Sequence, residues 1–141
     1  MEEMTRPLLL DTCAALWIMA NDRLRKEAVD AIDEAFDRRE KVFVSPITGW
    51  EIGLKAKKGK FISPYSPLRW LELLLNLPQI AVAEMPPHVL LESSLLPGNL
   101  VTDPADRIIA ATAREYGYTV ITRDSALLDY GREGHLSVME C

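Results

Sequence analysis

Short, uninterrupted apolar runs alternate along this chain with longer segments whose apolar residues recur at helical intervals. Leu8-Leu9-Leu10, Val42-Phe43-Val44, Ile80-Ala81-Val82 and Val120-Ile121 are of the first kind. That is the pattern of strands buried on both faces of a sheet. Leu136-Ser137-Val138-Met139 reads as a fifth strand at an edge. Pro7 leads the first run, and Gln79 leads the third.

The helical segments lie between these runs. Residues 13–19 read as a first helix, and residues 22–39 as an amphipathic one with Leu24, Ala28, Ile32, Ala35 and Phe36 along one side. Ser45-Pro46 opens a third helix, which carries an apolar stripe of Ile47, Trp50 and Leu54 and stops near Gly59. Ser66-Pro67 starts a fourth, with Leu68, Trp70, Leu71, Leu74 and Leu75 at helical spacing. Pro86-Pro87 starts a short fifth through Leu95, broken by Pro97-Gly98. Ser125-Ala126-Leu127-Leu128 is expected to form a brief helical turn that Tyr130-Gly131 breaks.

The segment that organises the rest runs from Thr102 to Asp124. Asp103 is suited to cap a helix and Pro104 to occupy its first position, so Asp106 falls in the first turn. Gly117 can close that helix in a left-handed conformation, and the strand around Val120-Ile121 follows at once. Strands alternating with helices predict an α/β fold of three layers, a parallel five-stranded sheet with helices on both faces. Right-handed crossovers and one reversal of winding favour the strand order 3-2-1-4-5. No linker, repeat or low-complexity tract divides residues 1–141, which are expected to form one domain.

Composition narrows the function. At 48% hydrophobic and 26% charged, the chain has the balance of a soluble globular protein. A formal net charge of −5 argues against coating nucleic acid non-specifically, and it permits a carboxylate site that a cation neutralises. Cys13 and Cys141 show no paired spacing, which excludes a structural zinc site; Cys13 reads as a small buried helix residue. Leu8-Leu9-Leu10 is too short for a signal-peptide core, so the expected compartment is the cytoplasm, with no membrane segment.

In the expected order the first and fourth strands are neighbours at the switch point, where open α/β sheets place ligands. Asp11 and Asp124 follow those strands. The helix led by Asp103 and Asp106 returns over the same edge, and the helix bearing Glu51 begins there. Any one of these acids alone is explained by capping or by an ion pair such as Glu51 with Lys55. Together they crowd like charges into one spot, which raises their pKa values and destabilises the fold. A hard divalent cation removes the conflict, and oxygen ligands without His or Cys favour Mg2+ or Mn2+ over zinc.

Leu8-Leu9-Leu10-Asp11-Thr12, Trp50-Glu51-Ile52 with its lysine-rich end, Asp103-Pro104-Ala105-Asp106-Arg107-Ile108-Ile109-Ala110-Ala111 and Thr122-Arg123-Asp124 together resemble the PIN-domain family, and within it the VapC-type toxins of toxin–antitoxin systems. The resemblance runs from residue 8 to about residue 139. It implies a Mg2+- or Mn2+-dependent endoribonuclease that leaves a 5′-phosphate and a 3′-hydroxyl on tRNA, rRNA or mRNA. It also implies a cognate antitoxin, and a homodimer or toxin–antitoxin hetero-oligomer. By position, Asp11, Glu51, Asp106 and Asp124 match the family's catalytic acids, with Asp11, Asp106 and Asp124 as metal ligands. Asp103 matches an additional acid, and Thr12, Thr122 and Ser45 fit polar supports. Two departures stand out: Val101-Thr102 replaces a His or Lys before the Asp-Pro pair, and the Ser/Thr-rich lead into the Glu51 helix is reduced to Thr48-Gly49.

The basic cluster Lys55, Lys57, Lys58 and Lys60, with Arg107 and Arg123, supplies candidate phosphate contacts. Apolar residues in the second and fourth helices suit a dimer or an antitoxin groove. The alternative to an enzyme is a PIN-like scaffold that binds RNA or protein without catalysis. A phosphoacceptor receiver domain is set aside, because Ala83-Glu84 follows the third strand where its acceptor Asp would stand.

Overall fold

Leu8, Leu9 and Leu10 lie at the centre of the molecule, paired on one side with Val42, Phe43 and Val44 and on the other with Thr119, Val120 and Ile121. The computed structural model describes residues 6–141. Its elements run β1 (Leu8–Leu10), α1 (Thr12–Met19), α2 (Lys26–Asp37), β2 (Val42–Val44), α3 (Ile47–Lys57), α4 (Pro67–Leu75), β3 (Ile80–Val82), α5 (Pro87–Ser94), α6 (Pro104–Tyr116), β4 (Thr119–Thr122), α7 (Ser125–Arg132) and β5 (Ser137–Glu140). The sheet has five strands in the order β3-β2-β1-β4-β5, every pairing parallel, as the sequence predicts.

Strand alternation divides the core. Leu8, Leu10, Val42, Val44 and Ile121 face one cluster, closed by Ala14, Ala15, Ala28, Ile32, Ile52, Trp70 and Leu74. Leu9 and Val120 face the other, closed by Ile109, Ala110, Ala113, Leu127 and Tyr130. A sheet covered on both faces needs strands that are apolar at every position, and β1 is buried throughout. The short side chains Ala110 and Ala113 let α6 approach the sheet closely.

Several local expectations are corrected. Helix α2 begins at Lys26 rather than residue 22; Arg25 is its N-cap, and the Arg25 N–H donates to the Cys141 carbonyl at 2.9 Å, tying the end of the chain to the helix start. Helix α7 continues through Tyr130-Gly131 to Arg132. Tyr130 is buried there, and Gly131 is small because Val138 packs against it, a Cβ at that position lying 2.3 Å from Val138 Cγ2. Helix α3 is rotated from the expected phase: Thr48 and Ile52 face inward, and Trp50 is 52% exposed. Cys13 is exposed, and Cys141 is the buried cysteine. Among the described residues no helix is long and apolar enough to cross a membrane.

Candidate active site

Asp11 follows β1 and caps α1, its backbone still extended at φ −72° and ψ 172°. Its Oδ1 accepts the Ala14 N–H at 2.7 Å, and its Oδ2 accepts the Thr122 hydroxyl at 2.5 Å. Only 3% of Asp11 is exposed, and Thr122 is wholly buried. The Thr122 hydroxyl oxygen in turn accepts the Asp124 N–H at 2.9 Å. One threonine at the end of β4 therefore fixes two carboxylates from opposite ends of the chain. Asp124 caps α7, its Oδ2 accepting the Leu127 N–H at 2.9 Å.

Glu51 projects from α3, and its Oε1 accepts the Thr12 hydroxyl at 2.5 Å. Thr12 also lies 3.1 Å from the Thr48 hydroxyl, within hydrogen-bond distance. Thr48 thus belongs to the site, a support that the abbreviated Thr48-Gly49 lead supplies. Its signal was its place one helical turn before Glu51, on the inward face of α3. Ser45 instead accepts the Ile47 N–H at 3.1 Å and helps start α3. Asp106 sits in the first turn of α6, where Thr102 donates its hydroxyl to Oδ2 at 3.0 Å. Asp103 caps the same helix through Oδ1, which accepts the Asp106 N–H at 2.9 Å. Thr102, which departs from the expected pattern before Asp103-Pro104, thereby orients Asp106.

These side chains line one cavity of about 330 Å3, walled by Asp11, Thr12, Cys13, Trp17, Glu51, Lys55, Asp103, Asp106, Arg123 and Asp124. Crowding and burial show in the protonation equilibria. Burial, then the Asp103 charge, pushes the Asp106 carboxyl up to about 7. Burial also raises Asp11, opposed by the hydrogen bonds from Thr122 and Ala14, and raises Glu51, opposed by the bond from Thr12. The Cys13 thiol, exposed on the cavity wall, is pushed up to about 11 by desolvation among the neighbouring side chains and by the Asp11 charge, which keeps it protonated and weakly nucleophilic.

Among the described residues none of the five carboxylates is salt-bridged; the ion pairs involve Glu140, Asp30, Glu72, Glu115, Asp129 and Glu133. Glu51, Asp106 and Asp124 each have one oxygen held by a protein donor, and the other takes no hydrogen bond from the described residues. Among the described residues no fully buried side-chain oxygen lacks a partner, so those second oxygens are not sealed in the core, and their residues line the cavity. The donor set, oxygen only and mutually repelling, fits a hard divalent cation. Among the described residues no three His, Cys, Asp or Glu side chains stand ready in one ligand sphere; the carboxylates surround a shared space without closing on it.

The basic residues separate by role. Lys55 lines the cavity, whereas Lys57, Lys58 and Lys60 are exposed outside it. Arg107, expected to meet phosphate, instead donates to the Ser93 carbonyl at 3.0 Å and the Leu100 carbonyl at 2.8 Å, holding the loop between α5 and α6. Arg123 lies at the rim over the ring of Trp17. His88, remote from the cavity, contacts Glu115 at 3.2 Å. Apolar side chains outside the core include Leu68 and Leu75 on α4, Trp50 on α3 and Val29 on α2.

Known proteins resemble this chain in sequence and in fold. Ribonuclease VapC22 of Mycobacterium tuberculosis is 31% identical over 121 residues, 85% of this chain and 88% of that protein. The crystal structure of DNA-bound VapBC from Salmonella typhimurium superposes with a TM-score of 0.66 at 18% identity, covering 96% of this chain and 98% of that one. PAE2754 from Pyrobaculum aerophilum superposes with a TM-score of 0.63 at 20% identity, covering 99% and 92%. Both structures share the fold. The PIN domain model matches residues 8–133, and with the identity to VapC22 it follows that this chain belongs to the PIN-domain family.

Proposed function

We propose that this protein is a divalent-metal-dependent endoribonuclease and the toxin of a toxin–antitoxin pair. The observation that carries the reading is the set of five carboxylates lining one cavity, with no salt bridge to any of them among the described residues. Its relative VapC22 bears the name ribonuclease, and FitAcB from Neisseria gonorrhoeae and the DNA-bound VapBC structures share the fold.

In this reading Asp11, Asp106 and Asp124 hold Mg2+ or Mn2+, with Glu51 at the edge of the set. When bound, the cation neutralises the carboxylates and stabilises charge developing on the phosphoryl oxygens. Glu51, held at Oε1 by Thr12, presents Oε2 to the cavity and orients water for attack, its raised pKa suiting a group that takes up the water's proton. Lys55, on the cavity wall, meets a non-bridging phosphate oxygen. Water attacks phosphorus as its proton passes to Glu51, the P–O3′ bond breaks, and the 3′ oxygen takes a proton from solvent, giving a 5′-phosphate and a 3′-hydroxyl.

The partner is a small antitoxin whose apolar segment covers part of the surface around Leu68, Leu75 and Trp50 and whose basic residue enters the acidic cavity. Cleavage of total tRNA and rRNA with Mg2+ or Mn2+, compared with the Asp106→Asn variant, tests the enzyme. A fall of about 100-fold or more with the fold retained is expected; equal cleavage by the variant rejects it. Adding a co-expressed partner should suppress cleavage.

A further inference from the structure

Arg123 and Trp17 stand on the rim of the cavity and have no part in the hydrolysis just described. Arg123 is exposed and lies beside five carboxylates, yet it pairs with none of them. Its guanidinium carbon sits instead 3.8 Å from the centre of the Trp17 ring, and one NH2 group donates to the Arg23 carbonyl at 2.6 Å. A guanidinium fixed by an indole beneath and a carbonyl at its edge is a flat, oriented surface, already paid for in side-chain entropy. Trp17 is half-buried and packs on the core behind, and Arg123 is the exposed member of the pair.

We propose that Arg123, braced by Trp17, is a stacking platform for an RNA base next to the phosphate that is cut. The proposal rests on the nuclease reading in placing RNA at this cavity. Two features favour a base over a phosphate contact. A guanidinium plane accepts the face of any base, which suits single-stranded RNA. Arg123 also directly precedes Asp124, so a base stacked on it lies at the rim while its phosphate reaches the carboxylates. Lys55, a point charge on the cavity wall, is left as the phosphate contact.

Binding separates this role from cleavage. The probe is a fluorescein-labelled single-stranded RNA of about 12 nucleotides, compared by anisotropy with the same ribose-phosphate chain lacking every base. Both are titrated in Mg2+ against Asp106→Asn protein, alone and combined with Arg123→Lys or Trp17→Ala. Arg123→Lys, which keeps the charge and loses the plane, should weaken binding of the base-carrying RNA about tenfold and leave the base-free chain unchanged. Trp17→Ala should do the same. Equal weakening of both probes, or no change with Arg123→Lys, overturns the platform. Arg123→Lys guards against a packing defect in Trp17→Ala, since Arg123 is exposed. The comparison reads binding alone, so a failed cleavage assay leaves it standing, and its own failure leaves the nuclease standing.

Discussion

The Thr122 hydroxyl donates to Asp11 Oδ2 at 2.5 Å across 111 residues of sequence, and this bond joins the two strand ends at the switch point of the sheet. The same oxygen accepts the Asp124 N–H, so a single buried side chain sets the separation of two carboxylates. Replacing Thr122 with Val keeps the shape and removes both bonds. A buried acceptor without its donor costs about 1–3 kcal/mol. The variant should lose stability on that scale in chemical denaturation, and cleavage should fall at least tenfold as Asp11 and Asp124 drift; unchanged cleavage would remove Thr122 from the site.

Glu51 and its threonine supports should separate kinetically from the metal ligands. Glu51→Gln keeps the size and the Thr12 hydrogen bond, so Mn2+ affinity should change little while kcat falls by about 100-fold. Thr12→Val should lower kcat by about tenfold and leave KM near its original value, because it misdirects Glu51 without touching RNA. A KM effect alone from either change would assign Glu51 to substrate binding.

Arg107 and Lys55 should respond to salt differently. Lys55→Ala removes a charge at the cavity and should reduce the slope of log K against log salt by about one. Arg107→Ala instead frees the carbonyls of Ser93 and Leu100, and should lower the melting temperature and loosen the loop bearing Thr102 and Asp103. The salt slope of Arg107→Ala should match wild type. A reduced slope would return Arg107 to the phosphate contacts.

The protonation of Asp106 gives the metal-free protein a pH-dependent stability of definite sign. Its carboxyl is raised from 3.8 to about 7 in the folded protein, so between those values the folded state holds a proton that the unfolded chain has released. Stability in chelator should therefore fall as pH rises from about 4 to about 7. Asp11 and Glu51 are raised too and act in the same direction. Saturating Mg2+ should flatten the profile, because the cation favours the ionised forms, and Asp106→Asn should reduce the slope in chelator. A melting temperature in chelator that climbs through this range would contradict the burial of these acids without cations.

Much of this was legible in the order of residues. Strands buried on both faces leave no polar positions, so Leu8-Leu9-Leu10 and Val42-Phe43-Val44 read clearly, and topology rules then place Asp11 beside Asp124. Asp103-Pro104 and Gly117 mark both ends of α6 because capping is local chemistry. What depends on tertiary contact was hidden. Tyr130-Gly131 looks like a break until Val138 is seen packed on the glycine. Arg107 looks like a phosphate ligand until the last turn of α5 and the loop after it turn the Ser93 and Leu100 carbonyls toward it. The phase of α3 was misjudged because Trp50, the bulkiest apolar residue there, faces outward while Thr48 turns inward to Thr12. Trp17 lies in the first helix with nothing in the sequence to mark it, and the folded chain places it on the cavity wall beneath Arg123.

The central claim is that Asp11, Asp106 and Asp124, carboxylates from three separate segments, make one divalent-cation site, and the amplitude of the Mn2+ electron paramagnetic resonance signal measures it most directly. Titrating the purified protein should show saturable loss of the free-ion signal in wild type, and that loss should be abolished or strongly weakened by Asp11→Asn, Asp106→Asn and Asp124→Asn individually. Mn2+ binding equal to wild type in all three variants would contradict the account.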